Sequence, residues 1–87
     1  MKHPYFTKEE LQDLGFKYQG LTKEDEFQYD WWSLELCGIY IDVTFEYDRN
    51  SKDPKTSFIE INNYSMIAEF TKNEALQIIE ILKKIRE

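Results

Sequence analysis

Histidine and cysteine are almost missing from this 87-residue chain, which holds one of each, His3 and Cys37. A lone cysteine excludes an intrachain disulfide and fits a reducing compartment. Cys37 also has no basic neighbour in sequence to lower its pKa, so it reads as a small, half-buried packing residue rather than a nucleophile. Ser–His or Cys–His activation would have to rely on His3, close to a frayed end. Zinc lacks its usual ligand set. Three glycines, at 15, 20 and 38, form no G-x-G-x-x-G or Walker-type phosphate loop. No segment approaches the roughly 20 apolar residues that span a bilayer. The opening Met1-Lys2-His3-Pro4-Tyr5-Phe6 has no long apolar run, so no secretory leader is expected and the cytoplasm is the expected compartment.

One stretch imitates a hard-cation loop, Asp48-Arg49-Asn50-Ser51-Lys52-Asp53. It fails as a calcium site. Lys52 takes the fifth position, Asp53 replaces the glycine needed at the sixth, and Ile59 stands where a bidentate glutamate belongs. The expectation is therefore no catalytic residues, no metal, no cofactor and no enzymatic activity.

What the chain does have is aromatic and acidic. Two Trp, six Phe and six Tyr supply large buried areas, enough with the aliphatic residues for one core. Residues 1–87 read as a single α+β domain, since chains divide only at several times this length. The formal charge of −6 is not spread evenly. Residues 1–21 and 61–87 are each balanced, and the whole imbalance lies in 22–60, with ten acids against four basic residues. Such a surface repels phosphate backbones and anionic headgroups and attracts a basic partner. Neither direct nucleic-acid binding nor membrane association is expected.

Local signals order the elements. Thr7-Lys8-Glu9-Glu10 is a capping box, with Phe6 placed for a hydrophobic staple on Leu11 and Gly15 placed to stop the helix. A short strand is expected over Phe16–Gln19 and a charged connection over Thr22–Glu26. The next strand, Phe27–Leu36, sets Phe27, Tyr29 and Trp31 on one face and Trp32, Leu34 and Leu36 on the other, which suggests a bulge near Trp31-Trp32 that switches the inward set. Cys37-Gly38 reads as a hairpin turn. Residues 49–56 have loop chemistry, Ser57–Ile61 reads as a strand, Asn62-Asn63 as a turn, and Tyr64–Phe70 as a last strand. A second capping box, Thr71-Lys72-Asn73-Glu74, launches a helix to about Arg86. Its apolar stripe is Ala75, Ile78, Ile79, Leu82 and Ile85, widened by Leu76 and Ile81, either of which could carry a dimer seam.

The predicted fold is α+β: an antiparallel meander of four or five strands, with a short N-terminal and a long C-terminal helix packed on one face. The predicted core is Phe6, Leu11, Leu14, Phe16, Leu34, Leu36, Ile39, Ile41, Val43, Phe45, Ile59, Ile61, Ile79, Leu82 and Ile85.

The stretch Ile39–Asp48 separates its two faces most sharply. Ile39, Ile41, Val43, Phe45 and Tyr47 alternate with Tyr40, Asp42, Thr44, Glu46 and Asp48, the pattern of a half-buried strand. The polar face combines rings for contact area with carboxylates for steering. Candidate partner-binding residues are Trp31, Tyr40, Asp42, Thr44, Glu46 and Asp48.

Two further segments, Lys8-Glu9-Glu10-Leu11…Leu14-Gly15-Phe16 and Ala75–Lys84, resemble short uncharacterised bacterial and phage-borne proteins, in which a helix ending Leu-Gly-Phe precedes a sheet and a final amphipathic helix. The resemblance implies a fold and a mobile-element origin; it transfers no active site. The expected function is a non-enzymatic interaction domain for a basic protein partner: an inhibitor, immunity protein or nucleic-acid mimic, monomeric or homodimeric. A homo-oligomeric scaffold is the alternative, followed by a small hydrolase using a carboxylate pair drawn from Asp42, Glu46, Asp48 and Glu60.

Overall fold

Two reciprocal caps fix where the helices begin. The structure, a computed structural model, describes residues 6–62 and 70–86. The first helix, α1 (Lys8–Leu14), starts where the Glu10 N–H donates to Thr7 Oγ1 at 3.2 Å and the Thr7 N–H donates to Glu10 Oε1 at 2.8 Å. Gly15 ends it at φ 98°, a left-handed conformation that favours glycine. Phe6 and Leu11 are both buried in one cluster, as a staple requires. The last helix, α2 (Lys72–Arg86), repeats the device, with Glu74 N–H to Thr71 Oγ1 at 3.1 Å and Thr71 N–H to Glu74 Oε1 at 2.9 Å.

Between the helices run β1 (Lys17–Lys23), β2 (Phe27–Leu36), β3 (Ile39–Asp48) and β4 (Thr56–Ile61). They form one antiparallel sheet in the order β1-β2-β3-β4, the expected meander of an α+β protein. The expected strand at Tyr64–Phe70 falls almost wholly outside the described residues. The β2–β3 turn holds Cys37 at φ 55° and Gly38 at φ 81°, the two positive angles of a type I′ hairpin. There the Gly38 N–H donates to Glu35 Oε2 at 2.6 Å. Asn62 turns the chain at φ 54°, as its type allows.

The expected bulge at Trp31-Trp32 is not there. Strands β2 and β3 pair without interruption from Phe27↔Asp48 to Leu36↔Ile39. The register breaks instead on β1, between Tyr18 and Gly20, opposite Trp32 and Trp31. Strand β2 therefore keeps one phase: Asp30, Trp32, Leu34 and Leu36 are buried, while Phe27, Tyr29 and Trp31 lie half-buried on the opposite face. Aromatic residues on both faces imitated a switch. Strand β1 also runs on to Lys23, past the expected end at Gln19, because the bulge and Gly20 interrupt its alternation without ending its pairing.

The core lies between the helices and the inward side of the sheet. Leu11 of α1 and Ala75 and Ile79 of α2 pack with Trp32, Leu34, Leu36, Ile41, Val43, Phe45, Tyr47 and Ile59. Sealing a side chain such as Leu11, Leu36 or Ile41 contributes about 1.5–3 kcal/mol each. Leu14, Ile61 and Leu82 only border this core, and Ile39 is half-buried. Ile85, expected inside, is 67% exposed. It sits at the margin of the stripe centred on Ala75 and Ile79 and turns away from the sheet. Trp32, Tyr47 and Ala75, absent from the predicted core although Tyr47 and Ala75 lie on the predicted apolar faces of their elements, are buried. Cys37, expected half-buried, is exposed, its Sγ 3.6 Å from the Leu82 carbonyl oxygen. The helices are tied at their first turns: Lys72 Nζ lies 2.6 Å from Glu10 Oε2 and 5.5 Å from the centre of the Phe6 ring. Among the described residues no helix is long and apolar enough to cross a membrane.

Candidate functional site

Once the two-residue turn fixes the register, every outward residue of β3 acquires a known neighbour. Asp48 lies opposite Phe27, Glu46 opposite Tyr29, Thr44 opposite Trp31, Asp42 opposite Ser33, and Tyr40 opposite Glu35. On the other side Glu46 faces Thr56, Thr44 faces Phe58 and Asp42 faces Glu60. The six residues singled out in the sequence, Trp31, Tyr40, Asp42, Thr44, Glu46 and Asp48, thus share the sheet face away from the helices. Opposite residues on one face lie about 5 Å apart between Cβ atoms. The face is therefore a row of rings on β2 beside a row of carboxylates on β3.

Its members differ in exposure. Tyr40 is 54% exposed and Asp48 is open to solvent, pairing with Lys55 at 3.5 Å. Trp31, Asp42, Thr44 and Glu46 are half-buried. Of the two tryptophans, Trp32 is the core residue, 6% exposed, and Trp31 faces outward. The Tyr40 backbone is held on both sides, its N–H donating to Asn62 Oδ1 and its carbonyl accepting the Asn62 N–H, each at 2.8 Å. One oxygen of Asp42, Oδ1, is sealed from solvent and has no hydrogen-bond partner among the described residues. Phe27, Tyr29 and Phe58 also belong to this face. The sequence reading did not place them there, although the register that Cys37-Gly38 imposes would have done so for Phe27 and Tyr29.

A second polar constellation lies on the helix side and was missed altogether. Asp30, 4% exposed, accepts from the Tyr47 hydroxyl at 2.9 Å and the Tyr18 hydroxyl at 3.1 Å. Lys8 Nζ stands 3.5 Å from the same carboxylate, above the rings of Tyr47 and Phe45 at 5.5 and 5.9 Å from their centres. A cation in the first turn of a helix opposes the helix dipole; here Asp30 and the two rings offset that penalty. The Tyr47 hydroxyl raises the Lys8 pKa, against the burial that lowers it and with help from the Asp30 charge. Burial, and then contact with this carboxylate, push the Tyr18 phenol up; burial also pushes Tyr47 up. The sequence signal was Asp30 itself, a carboxylate on the inward phase of an aromatic strand, where burial requires partners. The network reads as a clamp of α1 onto the sheet.

Among the described residues no three acidic, histidine or cysteine side chains come together so as to hold a metal ion. No protein-family model, curated protein or solved structure matches the chain. The likeness to short bacterial and phage-borne proteins thus rests on the quoted residues alone.

Proposed function

We propose that the chain is a non-enzymatic interaction domain that docks a basic protein through the open face of its sheet. The observation that carries this reading is the pairing of two rings with acids in register, Phe27 beside Asp48 and Tyr29 beside Glu46, continued by Trp31 beside Thr44. Half-buried rings provide contact area with little freedom left to lose, and the neighbouring carboxylates draw in and orient a cationic surface. Along β3 alternate residues recur at about 7 Å, so Glu46 and Asp48 are successive in a line of negative charge that Thr44 separates from Asp42. A line of that kind suits an inhibitor, an immunity protein or a nucleic-acid mimic of phage or mobile-element origin, acting in a reducing compartment such as the cytoplasm. The excess of acids in residues 22–60 supports the same partner chemistry.

The test compares affinity purification and mass spectrometry from the native host for the wild-type chain and two reversed variants. One carries Glu46→Lys and Asp48→Lys; the other adds Asp42→Lys. The double variant changes residues that are half-buried or exposed, so it separates lost binding from lost folding, with circular dichroism as the check. A basic protein captured by the wild type and lost by the folded double variant is the expected result. An unchanged set of captured proteins would sink the reading.

A further inference from the structure

Thr44 is the small residue in the middle of the outward face. Across the strands it lies between two rings, Trp31 of β2 on one side and Phe58 of β4 on the other. Along β3 it lies between two acids, Asp42 and Glu46, the outward residues before and after it. Phe58 is 44% exposed, while Trp31 and Thr44 are half-buried. Two strand spacings set the rings about 9.5 Å apart, and two residues of strand set each acid about 7 Å from Thr44. Side chains stand roughly perpendicular to a sheet. The rings are thus two walls of a slot, with Thr44 as its floor and an acid at each end.

The negative charge of this slot is not cancelled from within. Lys55 is held by Asp48 at 3.5 Å, one step beyond Glu46. Lys17 lies opposite Ser33, with β2 between it and Asp42. Glu46 makes no ion pair among the described residues. Asp42 stands opposite a second acid, Glu60, and its Oδ1 is sealed without a hydrogen-bond partner among the described residues. A cation midway between the walls lies about 5 Å from each ring, within the roughly 6 Å reach of a cation–π contact.

We propose that this slot takes an arginine side chain of the basic partner, an inference that rests on the docking reading and names the group it recognises. The guanidinium stacks between Trp31 and Phe58 and donates to Glu46, with the Thr44 hydroxyl as a further acceptor. Arginine fits better than lysine for a physical reason. A guanidinium is planar and weakly hydrated, so it can stack on both walls while its fork still addresses a carboxylate at the end of the slot. An ammonium is a compact, strongly hydrated charge and gives up more water to enter. A trimethylated ammonium has no N–H left to donate to Glu46.

The test titrates the isotope-labelled full chain with the capped peptide acetyl-Gly-Gly-Arg-Gly-Gly-amide, and with the same peptide carrying lysine or trimethyl-lysine. One side chain binds weakly, so a Kd of about 1–10 mM is expected for the arginine peptide. The Trp31 indole N–H and the Thr44 and Phe58 amides should shift, while the indole N–H of Trp32, buried in the core, stays in place. Phe58→Ala removes one wall at an exposed position and should weaken arginine binding about three- to fivefold. Glu46→Gln keeps the shape without the charge and should flatten the salt dependence of binding. The lysine peptide should bind at least about threefold more weakly than the arginine peptide. An arginine peptide that leaves Trp31 unmoved, or binding indifferent to Phe58→Ala, overturns the slot. Lysine or trimethyl-lysine bound as tightly as arginine overturns the choice of arginine. The docking reading fails separately. A basic protein lost by the variant reversed at Glu46 and Asp48 but retained by Phe58→Ala leaves docking standing and removes the slot. Arginine bound between Trp31 and Phe58, with no basic protein captured, does the reverse.

Discussion

Asp30 occupies the inward phase of a strand whose neighbouring inward positions are Trp32, Leu34 and Leu36, where an unpartnered carboxylate would be costly. Its two tyrosine donors and Lys8 make the position tolerable, and the cost of disrupting it falls on all of them. Asp30→Ala strands the Tyr47 hydroxyl inside the protein and frees Lys8 from its partner. A loss of about 1–3 kcal/mol in urea denaturation is expected, the cost of leaving a buried hydroxyl unsatisfied. The same cluster sets the response to alkali. A lysine with a raised pKa contributes stability in full below its ordinary value of 10.5, and that contribution disappears as pH climbs through the folded value. Tyr18 and Tyr47, also raised, lose protons first in the unfolded chain above their ordinary 10.0, which pulls the same way. The urea midpoint should therefore hold steady up to the ordinary tyrosine range and fall beyond it. Tyr47→Phe should make that fall shallower. A midpoint that rises with alkali would contradict the clamp.

At the level of elements, legibility followed how local each signal was. Both capping boxes and the Cys37-Gly38 turn involve residues within three positions of one another, so Thr7, Glu10, Thr71 and Glu74 could be read directly. The faces of β3 were equally plain from alternation. The bulge was not, because it depends on what β1 meets across the sheet; the aromatic residues on both faces of β2 drew it to the wrong strand. The candidate face was half legible: β3 announced its carboxylates, whereas the rings of β2 and Phe58 joined them only through cross-strand register. Ile85 failed for a related reason, since helical spacing defines a stripe but not how far the sheet covers its margin. The caps offer a direct test. Thr71→Ala should cost about 1 kcal/mol, seen as a melting point lower by about 4–8 °C in a domain of this size, and Thr71→Ser should restore most of it.

Across the whole molecule the two sides of the sheet have separate duties. One side takes both helices, the core and the Lys8–Asp30 clamp; the other carries the aligned rings and acids. Stability and the proposed docking chemistry are thereby decoupled, which leaves the outward residues free to vary without loss of the core. Glu10 and Lys72, joined at 2.6 Å, are 62 residues apart in sequence. Their meeting closes the longest loop among the described hydrogen bonds, whereas the β2–β3 hairpin needs only neighbours and can zip within microseconds. The order of events in refolding follows from that contrast: hairpin first, helix starts stitched together last. Removing the stitch with Lys72→Met should leave the refolding limb of a chevron plot nearly unchanged and raise the unfolding rate several-fold. In that light the Glu10–Lys72 pair acts as a latch on escape from the native state, setting how long a molecule stays folded rather than how quickly it gets there.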